Sequence, residues 1–201
     1  MKEVTFYSPD LPDAFDGYRI LQLSDIHPEA GKGTERHFRK PSTSVTGKCR
    51  LAVFTGDLVN SRADELLEFM PVFAQLKARD GVYSVLGNHD YGSYVKWENE
   101  QARLANVDSL IARENRMGWC MLQNDHRIIY KGTDSIAVVG VENSGKPPFP
   151  DRGDLPKALQ GTDGMFKVLL SHDPTHWRRK VLPDTSVQLT LSGHTHDMQI
   201  S

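Results

Sequence analysis

Leu51-Ala52-Val53-Phe54-Thr55-Gly56-Asp57-Leu58-Val59-Asn60 is the stretch whose reading decides the fold of this chain. A short apolar run closed by a Gly-containing turn reads as a mostly buried strand. The turn places a carboxylate, Asp57, just past the strand's C-terminal end. The same pattern recurs outward in both directions. Strands are expected over residues 4–7, 18–23, 51–55, 82–86, 120–123, 127–130, 136–141, 166–170 and 187–191. Loops and helical patterns lie between them, which points to an α/β or α+β layered domain.

Two helices stand out. The first is expected over residues 62–79, with Leu66, Phe69, Met70, Phe73 and Leu76 on one face and Ser61 with Asp64 as its cap signal. Pro71 cannot donate to the Leu67 carbonyl, so it kinks this helix or breaks it into two short ones. The second covers residues 97–117, with Leu104, Val107, Leu110 and Ile111 inward and Gly118 as its stop. Residues 31–48 lack apolar periodicity and read as loop, with at most a short helix near 35–40.

Composition narrows the function classes. The 201 residues carry 24 Lys+Arg against 26 Asp+Glu, a net charge of -2, with no block of like charge. Such a balance gives no electrostatic signal for nucleic acid or a membrane surface. At 38% hydrophobic residues the chain can build a core, and one domain over residues 1–201 is expected. No apolar run reaches the roughly 18 residues of a membrane span, and residues 1–7 lack the features of a signal peptide. The chain is therefore expected to be soluble as written, with peripheral or longer-form membrane association left open. Cys49 and Cys120 are too few for a disulfide framework or a thiolate zinc site and read as buried free thiols.

The polar clusters carry the chemistry. Asp25 and His27 follow the strand at 18–23, Gly56-Asp57 that at 51–55, and Gly87-Asn88-His89-Asp90 that at 82–86. Ser171-His172-Asp173 follows 166–170, and Gly193-His194-Thr195-His196 follows 187–191. Strand C-termini are where open α/β sheets gather ligand sites. Taken singly, an Asp after a strand is commonly a helix cap, Gly-Asn a turn and a lone His structural. Jointly the weight reverses, because five of the eight histidines sit at strand ends beside Asp, Asn or Gly. His37, His126 and His176 read as surface or packing residues. Asp and His donors without thiolate suit a dinuclear centre of divalent manganese, iron, zinc or cobalt. Two such ions roughly 3.5–4 Å apart can clamp the attacking and leaving oxygens of a phosphoryl transfer. With two carboxylates and a hydroxide the site keeps a net charge of about +1, which attracts phosphate and lowers the pKa of bound water.

The ordered set Asp-x-His, Gly-Asp, Gly-Asn-His-Asp, His and Gly-His-x-His, from Ser24 to His196, closely resembles the calcineurin-like metallophosphoesterase superfamily. The resemblance implies an α+β fold, a four-layer αββα sandwich of two mixed sheets with the metals at one sheet edge. It implies that Asp25, His27 and His196 bind one metal, that Asn88, His172 and His194 bind the other, and that Asp57 bridges. By the same resemblance His89 assists the leaving oxygen and Asp90 orients its ring. A hydroxide bridging the metals would then attack in line. Further strands normally follow Gly-His-x-His in this family, so the chain is expected to be C-terminally incomplete after residue 201.

Departures from subfamily patterns narrow the substrate. Gly56-Asp57-Leu58-Val59-Asn60 and Leu86-Gly87-Asn88-His89-Asp90 lack the signatures of protein Ser/Thr phosphatases. Residues 58–63 contain no metal-binding Tyr of the purple acid type. Tyr7-Ser8-Pro9-Asp10 and Ser171-His172-Asp173-Pro174-Thr175-His176-Trp177 look similar to bacterial, often membrane-associated enzymes that include lipid-linked nucleotide-sugar pyrophosphohydrolases. The expected activity is phosphodiester or pyrophosphate hydrolysis of a small-molecule or lipid-linked substrate; the alternative is a non-catalytic scaffold of the same fold. The loop at residues 145–153, with Lys146, Phe149 and Arg152, is a candidate for substrate contact, and Phe149 or Trp177 for an apolar lip.

Overall fold

The computed structural model describes residues 2–28 and 49–195. The first sheet is parallel and holds β1 (Ile20–Leu23), β2 (Leu51–Phe54), β3 (Val82–Ser84) and β4 (Cys120–Met121) in that order. The second holds β5 (Asp125–Lys131), β6 (Asp134–Gly140), β7 (Phe166–Leu170) and β8 (Leu189–Leu191). Its β5–β6 pair is an antiparallel hairpin, and β6, β7 and β8 run parallel.

Alternation inside the apolar runs explains why inner strands such as β2 and β6 are buried on both faces. In β2, Leu51 and Val53 point into a core shared with Ile136, Val138, Phe166, Val168 and Leu170 of the second sheet. Ala52 and Phe54 point the other way, toward Leu66, Phe73, Leu110 and Met117 of the helical layer. Ala137, Val139 and Leu169 likewise meet Leu155, Ala158 and Val181 on the far side of the second sheet. The order is therefore helix, sheet, sheet, helix. A strand buried on both faces needs a continuous apolar run, which is what β2 carries; β7 is interrupted by Lys167, whose ammonium donates to the Met165 carbonyl.

The first expected helix is divided. A 3-10 turn, Ala63–Leu66, precedes α1, Met70–Phe73, and Pro71 occupies the first turn of α1 where its missing N–H costs nothing. Its cap is not Ser61 with Asp64: the Glu65 carboxylate accepts the N–H groups of Asn60, Ser61 and Arg62. The longest helix, α2, spans Glu100–Met117. Asn99 accepts the Ala102 N–H at 2.8 Å, and Gly118 closes the helix at φ 87°. Val107 and Leu110 are buried as expected, but Leu104 is 44% exposed, because the inward stripe shifts to Val107, Leu110, Glu114 and Met117. On the second sheet, α3 (Leu155–Leu159) is capped by Asp154, and a π turn, Trp177–Val181, runs into α4, Leu182–Asp184.

Residues 4–7 form no strand: Val4 and Tyr7 lie exposed, and only Phe6 reaches a core side chain, Phe166, at 6.5 Å between rings. An apolar run pairs only where a sheet edge and a buried face receive it. Cys49 and Cys120 are free thiols, both half-buried. The expected loop over residues 31–48 lies outside the described residues.

Glu114 on α2 is fully enclosed and accepts the Ser84 hydroxyl at 2.5 Å. Burial raises its pKa to about 8. Below the ordinary carboxyl value of 4.5 both folded and unfolded states hold the proton, and stability is full. As pH rises toward 8, only the unfolded state releases it, so stability falls by up to about 1.4 kcal/mol per pH unit. Glu114→Gln keeps the acceptor for Ser84 and removes the titration. The variant should match wild type in melting temperature at pH 4.5 and exceed it by roughly 3 kcal/mol of stability at pH 7. Thermal melts of both proteins across this range check the prediction; parallel curves would refute it.

Candidate metal centre

The C-terminal ends of β1, β2, β3, β7 and β8 converge, and backbone conformation aims their side chains. Asp25, His27, Asp57 and His194 all adopt left-handed φ values of 52°, 44°, 58° and 73°. Each such residue costs about 1–3 kcal/mol, a strain that clusters at functional sites. The conformation is held by neighbours: Asp25 and Ile26 N–H groups donate to the Gly56 and Asp57 carbonyls at 3.0 Å. Gly87 and Gly193 permit the close approach of these loops. A Cβ at Gly87 would collide with the Asp57 carboxylate, and one at Gly193 with Ser24 and the Asp25 carboxylate.

Asp57 is the centre of the arrangement. Its carboxylate is 1% exposed, and Oδ2 lies 3.5 Å from His27 Nε2 and 3.2 Å from His172 Nε2. Oδ1 accepts the His89 backbone N–H at 2.9 Å. Two groups of ligand atoms share this residue: His27, Asp57 and His89 on one side, Asp57, His172 and His194 on the other, with the atoms of each group within 4.8 Å of one another. Asn88 Oδ1 sits 3.0 Å from His172 Nε2 on the second side. Asp25 receives the His194 backbone N–H on both oxygens at 3.0 Å and bears electrostatically on His27, His172 and His194. Every residue expected in the site is thus brought to this edge except His196, which lies outside the described residues.

The donor chemistry fits divalent ions. His172 Nδ1 lies 2.8 Å from the Thr55 carbonyl, which can only accept, so the proton sits on Nδ1 and the neutral ring presents Nε2 as a lone pair. That lone pair, Asn88 Oδ1 and Asp57 Oδ2 are three acceptors facing one another, an arrangement that a cation satisfies. Burial works to raise the Asp57 pKa, but the His172 and His27 rings, when protonated, overcome it and hold the carboxyl well below its usual range, a role that a cation on the neutral rings would take over. Burial lowers and Asp57 raises the pKa of His27 and His172, and the rise wins in both. His194 is shifted down by burial and by His172.

His89 stands beside this centre, its ring 4.6 Å from that of His27. The group that orients it is not Asp90. His89 Nδ1 lies 2.8 Å from the Asn60 carbonyl, which leaves Nε2 on the far side of the ring from that bond. Asp90 is fully buried and accepts the backbone N–H groups of Asp57, Leu58, Val59 and Gly87 at 2.8–3.1 Å. Burial and the nearby Asp57 charge push its pKa up, and the donated N–H groups counter that. Its work is to tie the Gly-Asp turn to the Gly-Asn-His-Asp turn.

Two aromatic residues border the row of imidazoles. Phe149 stands edge-on to His194 at 4.9 Å, so the loop at 145–153 reaches the site as expected. Arg179 anchors this loop through the Ser144 carbonyl, and Lys180 through Asp151 at 3.1 Å. Trp177 instead packs into the outer layer of the second sheet. Tyr94, which the sequence did not mark, lies 4.4 Å from the His89 ring and accepts from Asn88 Nδ2 at 2.7 Å. Its signal was weak, because a tyrosine six residues past Asn88 reads as an ordinary turn residue. His126 and His176 are packing residues: the first bonds the Ala158 carbonyl, and the second is buried against Ser171, with burial lowering its pKa to about 4.

Known proteins resemble this chain in sequence. The chain is 30% identical over 198 residues to the zebrafish (Danio rerio) "transmembrane protein with metallophosphoesterase domain", covering 94% of this chain and 43% of that protein. It is 28% identical to the metallophosphoesterase YkuE of Bacillus subtilis, covering 98% of this chain and 65% of YkuE. To the UDP-2,3-diacylglucosamine pyrophosphatase LpxG of Chlamydia trachomatis it is 25% identical, over 98% of this chain and 70% of LpxG. The chain thus spans less than two thirds of the first two relatives. A family model for the calcineurin-like phosphoesterase domain matches residues 18–198. With that match spanning the strand ends where the candidate donors gather, the chain belongs to the calcineurin-like phosphoesterase family.

Proposed function

We propose that this protein hydrolyses phosphodiester or pyrophosphate bonds with two divalent ions. The observation that carries the reading is the position of Asp57, shared by two groups of ligand atoms. Asp25, His27 and Asp57, with His196, would hold one ion; Asp57, Asn88, His172 and His194 would hold the other. Ions so held would supply Lewis-acid polarisation of the phosphoryl group and a water nucleophile at neutral pH. The protein's own part is orientation and proton delivery. Thr55 fixes the His172 tautomer, Asn60 fixes the His89 ring, and Asp90 holds the two turns together. His89 Nε2 lies across the ring from the Asn60 bond, and the ring in its doubly protonated form, with Nδ1–H held by Asn60, can give the Nε2 proton to a departing oxygen and return to the neutral state.

The missing phosphoprotein signatures support a diester or pyrophosphate, as does the likeness to LpxG, whose name describes a pyrophosphatase of a diacylated nucleotide sugar. Phe149 at the rim suits an apolar or nucleotide moiety. No helix among the described residues is long and apolar enough to cross a membrane. A scaffold of this fold would be free to lose ligands, and the presence of every candidate donor residue in the sequence supports the enzyme reading. Chelator should abolish hydrolysis and manganese restore it. With matched nitrophenolate leaving groups, kcat/KM should be higher for bis(p-nitrophenyl) phosphate than for p-nitrophenyl phosphate. A preference for phosphoserine peptides, or full activity in metal-stripped protein, would reject the reading.

A further inference from the structure

We infer that Tyr94 is a positioning residue that keeps the Asn88 amide with its oxygen toward the metal centre and braces the His89 ring. The inference rests on the two-ion reading above and adds a residue to it.

An asparagine can ligate only through Oδ1; its NH2 group carries donors and no available lone pair. Asn88 is 2% exposed, so its neighbours decide which end faces inward. Oδ1 faces His172 Nε2 at 3.0 Å, and Nδ2 donates to Tyr94 Oη at 2.7 Å. Without the tyrosine oxygen, the oxygen-inward orientation leaves a buried NH2 unpaired. The reversed orientation is then favoured, because the NH2 can donate to the His172 Nε2 lone pair, and it puts donor hydrogens where a cation belongs. The hydroxyl therefore weights the amide toward the ligating orientation. The ring acts separately. It lies 4.4 Å from the His89 ring with 32° between planes, a contact separate from the Asn60 bond at Nδ1. Tyr94 is 51% exposed, so its replacement leaves the core untouched.

Manganese titration calorimetry on the full chain tests this with wild type, Tyr94→Phe, Asn88→Ala and the double variant, after thermal melts show each folded. Phenylalanine keeps the ring and removes the acceptor. Tyr94→Phe should weaken one of two binding steps by about 10–100-fold, the usual effect of losing a residue that orients a ligand. The double variant should bind no more weakly than Asn88→Ala alone, since the hydroxyl acts through Asn88. Tyr94→Ala should further lower kcat on substrates with poor leaving groups, where His89 matters most, beyond the loss in Tyr94→Phe. Two manganese steps of unchanged affinity in Tyr94→Phe would overturn the Tyr94 inference alone. Additive losses in the double variant would also overturn it, as would equal kcat in Tyr94→Phe and Tyr94→Ala. A wild-type protein that binds no manganese would remove the two-ion reading and this inference with it.

Discussion

Asp57→Ala should be the most damaging single ligand substitution, lowering hydrolysis by roughly 10⁴-fold or more, because it removes a donor from both ions at once. The geometry gives this residue no substitute. Its carboxylate is buried, sits within 3.5 Å of His27 and His172, and fixes the His89 loop through the backbone N–H. Changing His194 or Asn88 touches the second group alone. Metal analysis of the purified variant should show both ions depleted, whereas His194→Ala should deplete mainly one. Unchanged metal content in Asp57→Ala would reject the bridging role, and loss of only one ion would assign the carboxylate to a single site.

His89→Ala carries the second-largest expectation, a fall of roughly 10²–10⁴ in rate with most of the metal retained, the usual contribution of a positioned general acid. Two observations compete here. The ring is close enough to His27 and Asp57 to be counted among ligand atoms, yet its Nδ1 is committed to the Asn60 carbonyl and its ring is flanked by Tyr94. A proton donor matters most when the departing oxygen is basic, so the loss should shrink for nitrophenolate and grow for alkoxide leaving groups. Rates across a series of leaving groups, with metal content measured on the same samples, separate the cases. Loss of one ion would make His89 a ligand; an equal loss across the series would make it a positioning group.

Much of this was legible in sequence because the relevant signals are local. A strand such as β2 announces itself by an apolar run, and its C-terminal turn by Gly-Asp. Pro71 marked the break in the first helical segment, and Gly118 the end of α2, because each acts through its own backbone. The sequence also pointed to the candidate side chains that gather at one edge, since parallel strands bring their C-terminal ends together there.

Tertiary structure decided what depends on partners distant in sequence. An aspartate beside a histidine looks like its orienting group, yet Asp90 is drawn to backbone N–H groups 31 to 33 residues away, and the Asn60 carbonyl takes its place at His89. Residues 4–7 have the composition of a strand, but no paired edge receives them. Leu104 fits the helical period and faces solvent, because which side of a helix is buried is set by the sheet beneath it. Tyr94 gained a function only when the chain turned it back onto Asn88 and His89. The sequence by itself determined which strand ends carry candidate donor side chains, since each end is punctuated by its own residues. How those ends face one another, and which neighbour holds each ring and amide in place, belonged to the packing of two sheets whose contacts join residues more than a hundred positions apart.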